Sequence, residues 1–196
     1  MRVVVDNGPA KGRRMAGAKR PRPARPATAL RGATAADAPA LHALIAAHLE
    51  EGRLLPRTLG ELADHAPRFI VATQGERIVG CAELAPLSAA VAEVRSLVVS
   101  REARQSGLGY RMVDELGRRA RREGFASLCA FAHDPRFFVR LGFSIVPHTW
   151  VPEKIAHDCH SCPLFRNCGQ YAIVLDLDRA HAQSANGARA AVNHRG

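Results

Sequence analysis

Apolar and polar positions along this chain switch repeatedly between the two-residue period of strands and the 3.6-residue period of helices. A short strand at Ala29–Arg31 precedes a helix whose apolar positions are Leu41, Leu44, Ile45 and Leu49. Thr34 or Asp37 caps its start and Gly52 ends it. A loop through Leu54, Leu55 and Pro56 leads to a short helix around Leu59–Ala63. The runs Arg68–Thr73 and Ile78–Leu84, separated by a turn at Gly75, read as a hairpin. A strand over Val91–Val99 follows, and then a helix from about Gly107 to Arg122 with Leu108, Met112, Val113 and Leu116 on one face. The remaining elements are a strand at Ser127–Ala132, a short helix around Pro135–Leu141, a strand from Phe143 and a last strand at Tyr171–Leu177. This order predicts an α+β domain with three layers: a mixed central sheet and flanking helices.

Charge changes the picture of the ends. Eight Lys or Arg stand against one Asp in residues 1–27, and three Arg stand against no acid in 179–196. The core between them holds 17 basic and 17 acidic residues, so the chain's net charge of +10 belongs to its tails. Both tails are expected to be disordered, and the neutral core, residues 28–178, is expected to fold as one domain. The core carries no net basic charge, so the folded domain is not expected to bind nucleic acid. No apolar stretch reaches the roughly 18 residues that a membrane span requires. The N-terminal tail lacks the apolar run of a secretory signal, so a cytoplasmic location is expected.

Candidate chemistry begins at Ser96–Gly109, SLVVSREARQSGLG. Leu97, Val98 and Val99 end a buried strand, and Gly107 and Gly109 let a ligand approach the backbone closely at the start of a helix. Clustered backbone N–H groups at a helix N-terminus suit a pyrophosphate. No Gly-Lys-Ser/Thr follows, so the loop is not a Walker loop. The spacing Arg104-x-x-Gly107-x-Gly109 resembles the signature of the GNAT superfamily of acyl-CoA N-acyltransferases, and the element order and the FFVRLGF segment at Phe137–Phe143 resemble it too. The resemblance implies a sheet splayed at the acetyl-CoA site. It also implies that acetyl-CoA is bound by Leu97, Val98 and Val99 of the strand, by Arg104, Gln105, Ser106, Gly107, Leu108 and Gly109 of the loop, and by Phe138.

A closer resemblance rests on Leu55-Pro56-Arg57, on AEVRSLVV, on Val151–Lys154 (VPEK) and on DCHSCPLFRNC at Asp158–Cys168. Together these are similar to the short, stand-alone form of N-acetylglutamate synthase. The implied reaction is acetyl transfer from acetyl-CoA to the α-amino group of L-glutamate, the first step of arginine biosynthesis, with both molecules as partners and a homodimer as the candidate assembly. Glu93 is the implied general base, acting through water, on the side of its strand that also carries Arg95 and Leu97. Arg57 and Arg95, with Lys154 as a third candidate, are the implied carboxylate binders. Phe137 and Phe138 stand where many relatives place a general-acid Tyr, leaving His133, Ser96, Tyr171 or solvent to protonate the thiolate.

Two other readings compete with this one. The acceptor is another amine, such as a different amino acid, a polyamine, an aminoglycoside or a protein lysine, or the domain is a non-catalytic metal-binding module. The second draws on Cys159, Cys162 and Cys168, which form C-x2-C-x5-C beside His157 and His160 and are candidate ligands for a structural zinc. The reading carried forward makes them reduced packing thiols, with no metal required.

Overall fold

The computed structural model describes residues 27–52 and 54–178, so the expected disordered tails lie outside the described residues apart from Ala27. Seven strands form one sheet: β1 (Ala29–Gly32), β2 (Phe69–Gln74), β3 (Arg77–Pro86), β4 (Val91–Val99), β5 (Ser127–Ala132), β6 (Ser144–Val146) and β7 (Tyr171–Asp176). Their spatial order is β1-β2-β3-β4-β5-β7-β6, and every pairing is antiparallel except β4 with β5. The helices are α1 (Ala38–Ala46), α2 (Leu49–Gly52), α3 (Leu59–His65), α4 (Leu108–Arg122), α5 (Arg136–Val139) and α6 (Pro152–Lys154), the last continuing as a π-turn over Ile155–Cys159.

Helices cover both faces, as the three-layer expectation requires. On one face α4 sets Leu108, Met112, Val113 and Leu116 against Val79, Leu84, Val94, Leu97 and Val99. Gly80 makes that approach close: a Cβ there would lie 3.1 Å from Met112 Sδ and 3.2 Å from the Val98 carbonyl oxygen. On the other face, Leu41 and Ile45 of α1 and Leu62 of α3 meet Phe69, Val71, Cys81 and Val98. Among the described residues no helix is long and apolar enough to cross a membrane.

The helix expected to run on to Gly52 is broken after Ala46, and α2 resumes it at Leu49. His48 causes the break: its backbone N–H turns to Ile45 O at 3.0 Å, while its ring Nδ1 lies 2.8 Å from Leu44 O, the carbonyl that a continuing helix would have used.

Two departures from regular pairing shape the site. The parallel pairing of β4 with β5 stops after Glu93↔Cys129, so the strands part over the rest of β4 and the sheet opens there. Within β4, the register changes from Cys81↔Val98 to Glu83↔Arg95, placing Ser96 and Leu97 opposite Ala82. This is a β-bulge, with Ser96 at φ +48°. The extra residue corrects the expected strand parity. Leu97 joins Val94 and Val99 under α4, so it lies on the face opposite Glu93 and Arg95.

Candidate active site

One half of the site is the turn between β4 and α4. Gly107 at φ +75° is the N-cap of α4, and Gln105 is also left-handed at φ +58°. The alternation of hand gathers backbone N–H groups into an anion-binding concavity at the start of a 15-residue helix. Ser106 Oγ donates to Ala103 O at 2.6 Å, and Arg104 Nε donates to Val99 O at 3.0 Å, fixing the loop to the strand end. A small cavity of about 60 Å³ lies here, lined by Val99, Arg104, Gln105, Gly107, Leu108 and Gly109 among others. Its aromatic wall is Tyr110 and Phe137, whereas Phe138 is fully buried between Phe137 and Phe143 as a core side chain. The β5-facing edge of β4 beyond Glu93 has no strand partner among the described residues, so its backbone is open to an extended ligand.

The other half is a larger cavity of about 510 Å³ where β4 and β5 part. Arg57 reaches it from the loop before α3, Arg95 and Ser96 from the bulge of β4, and Phe131 from β5. Much of the remaining wall comes from the segment that follows β6, including His148, Lys154, Asp158 and Phe165. The three cations expected from the sequence, Arg57, Arg95 and Lys154, therefore converge from segments far apart in the chain.

Each of these cations is already paired. Lys154 Nζ donates to both oxygens of Glu93 at 2.9 Å and to Asp158 Oδ2 at 2.6 Å. Arg95 Nε donates to Glu93 Oε2 at 2.6 Å, and Arg95 Nη2 donates to the same Asp158 oxygen. Arg57 Nη1 donates to Glu83 Oε2 at 2.9 Å and to Ser96 Oγ at 3.2 Å, while Glu61 Oε1 lies 2.6 Å from Arg57 Nε. Glu93 and Glu83 are 0% and 1% exposed, so the cations paired with them offset the cost of burying two carboxylates. Burial pushes the Asp158 carboxyl up, but Lys154 and Arg95 outweigh it and hold it below the usual carboxylate range.

These positions revise the sequence reading. Glu93 shares a strand face with Arg95 but stands behind Arg95 and Lys154 and does not line the cavity. Glu61, Glu83 and Asp158 were not singled out by sequence. Asp158 follows Lys154 by four residues, a spacing that puts two side chains on one helical face and was the available signal. Among the general-acid candidates, Ser96 lines the cavity.

Cys159, Cys162 and Cys168 are free, half-buried and line the same cavity wall. Among the described residues no group of three or more His, Cys, Asp or Glu side chains is arranged to hold a metal ion. Cys81 and Cys129 are wholly buried in strands, and burial pushes the Cys81 thiol up to about 12.

Known proteins resemble this chain in sequence and in fold. The profile of the Acetyltransferase (GNAT) family covers residues 38–143. A protein of Chlorobaculum tepidum, named an uncharacterised N-acetyltransferase, is 31% identical over 150 residues, covering 76% of this chain and 97% of that one. An amino-acid acetyltransferase of Neisseria meningitidis is 30% identical over 134 residues, covering 67% of this chain and 31% of that one. N-acetylglutamate synthase from Neisseria gonorrhoeae, solved with coenzyme A and N-acetyl-glutamate, superposes with a TM-score of 0.69 at 27% identity, covering 79% of this chain and 36% of that one. The chain thus spans about a third of these two longer proteins.

Proposed function

The chain belongs to the Acetyltransferase (GNAT) family, and from that premise we propose that it acetylates the α-amino group of a carboxylate-bearing amino acid, L-glutamate first. The observation that carries this reading is the convergence of Arg57, Arg95 and Lys154 on one cavity at the point where β4 and β5 part. Guanidinium and ammonium groups in that position suit the two carboxylates of glutamate, and the two relatives from Neisseria point to the same acceptor class.

In this reading, the backbone N–H groups around Gln105–Gly109 hold the pyrophosphate of acetyl-CoA, and the open edge of β4 near Leu97–Val99 pairs with its pantetheine arm. That edge also polarises the thioester carbonyl as the tetrahedral oxyanion develops. The cations fix the acceptor so that its nitrogen faces the thioester, which replaces a bimolecular encounter by an oriented one. Before attack the ammonium loses a proton. Glu93 takes that proton through an intervening water, since its own oxygens are held by Lys154 and Arg95 behind the cavity wall. The nitrogen then bonds to the acetyl carbon, the C–S bond breaks, and the second proton given up by the nitrogen passes through Ser96 or solvent to the departing thiolate.

Acetyl-CoA-dependent release of free CoA thiol, measured over the twenty amino acids, spermidine and an aminoglycoside, tests the reading. Selective turnover of L-glutamate is expected. Turnover of spermidine or the aminoglycoside without any amino acid would overturn it.

A further inference from the structure

We propose that Asp158 occupies the carboxylate subsite formed by Arg95 and Lys154, and that an acceptor enters by displacing it. The proposal rests on the reading above, in which the acceptor carries a carboxylate.

The geometry is that of a substrate already in place. A single oxygen of Asp158 accepts from both Lys154 Nζ and Arg95 Nη2, as one oxygen of a bound carboxylate would. The two carboxylates on these cations are not equivalent. Glu93 is 0% exposed and does not line the cavity, whereas the Asp158 side chain is 35% exposed and does. Glu93 therefore anchors the cations from behind, and Asp158 covers them from the front. The same layout recurs at Arg57, with Glu83 at 1% exposure behind it and Glu61 at 39% beside the cavity.

The segment bearing Asp158 is fastened to the sheet by side-chain charges and not by strand pairing. It starts in the π-turn over Ile155–Cys159, an irregularity that occurs often at functional sites. Several of its backbone bonds close locally: Cys162 N to Cys159 O, Phe165 N to Cys162 O and Asn167 N to Leu164 O. Residues 155–168 pair with no strand, so the charges of Asp158 tie them to the sheet more directly than backbone bonds do.

Displacement supplies selectivity. A carboxylate that replaces Asp158 exchanges like for like on the same two cations, so the net change in charge-assisted hydrogen bonds is small. An amine without a carboxylate makes no such exchange and leaves the segment closed, because a ligand shifts an equilibrium only by its differential affinity for the two states.

Hydrogen exchange on the full chain tests this with glutarate, a dicarboxylate that has no amine to acetylate. Glutarate is expected to speed exchange across residues 155–168 of the wild-type protein several-fold, and spermidine to leave it unchanged. In Asp158→Asn that exchange is expected to be fast without ligand. Calorimetry should show glutarate binding about tenfold tighter there, the order of one charge-assisted contact that no longer has to be broken. Glutarate that binds the wild-type protein but slows or leaves unchanged the exchange of this segment would overturn the proposal, and that experiment needs no variant. If L-glutamate is also turned over, the carboxylate-acceptor reading survives that result. Failure of glutarate to bind either protein would overturn both.

Discussion

The turn before α4 and the cavity between β4 and β5 face the same opening in the sheet but are built by opposite means. The turn is a contiguous stretch whose working groups are backbone N–H donors, aimed by left-handed residues at Gln105 and Gly107. The cavity draws Arg57, Arg95 and Lys154 from three separated segments and wires them to buried Glu83 and Glu93. Backbone donors bind a phosphate in any chain that makes the turn, so the donor half serves a ligand common to the family. Side-chain charges held by long-range packing can be exchanged one at a time, so under the proposed function the cavity is the acceptor half and the place where substrate choice resides.

The contrast predicts that the acceptor half is the more fragile. Lys154→Met leaves wholly buried Glu93 with Arg95 as its remaining cation and should lower the unfolding free energy by about 2–3 kcal/mol, read by urea denaturation. A midpoint within error of wild type would show that the cluster is not part of the fold's support. Gly107→Ala strains the donor half alone: no heavy atom lies within 4 Å of the added Cβ, but φ stays at +75°. The expected cost is about 1–2 kcal/mol, with a higher KM for acetyl-CoA and an unchanged KM for the acceptor. Acid should act on the cavity later than on ordinary carboxylates. Because the Asp158 pKa is lowered in the folded protein, its ion pairs are fully present above the usual carboxylate range, near pH 4, and are lost only as pH falls below it. Faster hydrogen exchange of residues 155–168 already at pH 5 would contradict that assignment. The smallest effect is expected for Cys168→Ser, a half-buried thiol in the cavity wall, at about 0.5 kcal/mol or less.

The same contrast explains what the sequence made legible. The loop Arg104–Gly109 could be read because its geometry is local, and the strand and helix order because each element carries its own period. Arg57, Arg95 and Lys154 could be named only through resemblance, and of their carboxylate partners only Glu93 was named, for another role. Glu83 meets Arg57 only because the loop before α3 reaches across to β3, and Asp158 meets Arg95 only through a π-turn that no propensity announces. The bulge at Ser96 is the sharpest case: RSLVV contains no glycine, yet one extra residue sends Leu97 to the opposite face from Arg95. Phe138 shows the same limit, since adjacent phenylalanines look alike in sequence and only packing puts Phe137 in the cavity wall.

The separation of the two halves is tested most directly by steady-state kinetics of Arg95→Gln with both substrates varied. The account predicts that KM for L-glutamate rises by about tenfold to a hundredfold while KM for acetyl-CoA stays within twofold of wild type, because one charge-assisted pairing is lost on the acceptor side only. An equal rise in both, or no change in the KM for L-glutamate, would contradict it.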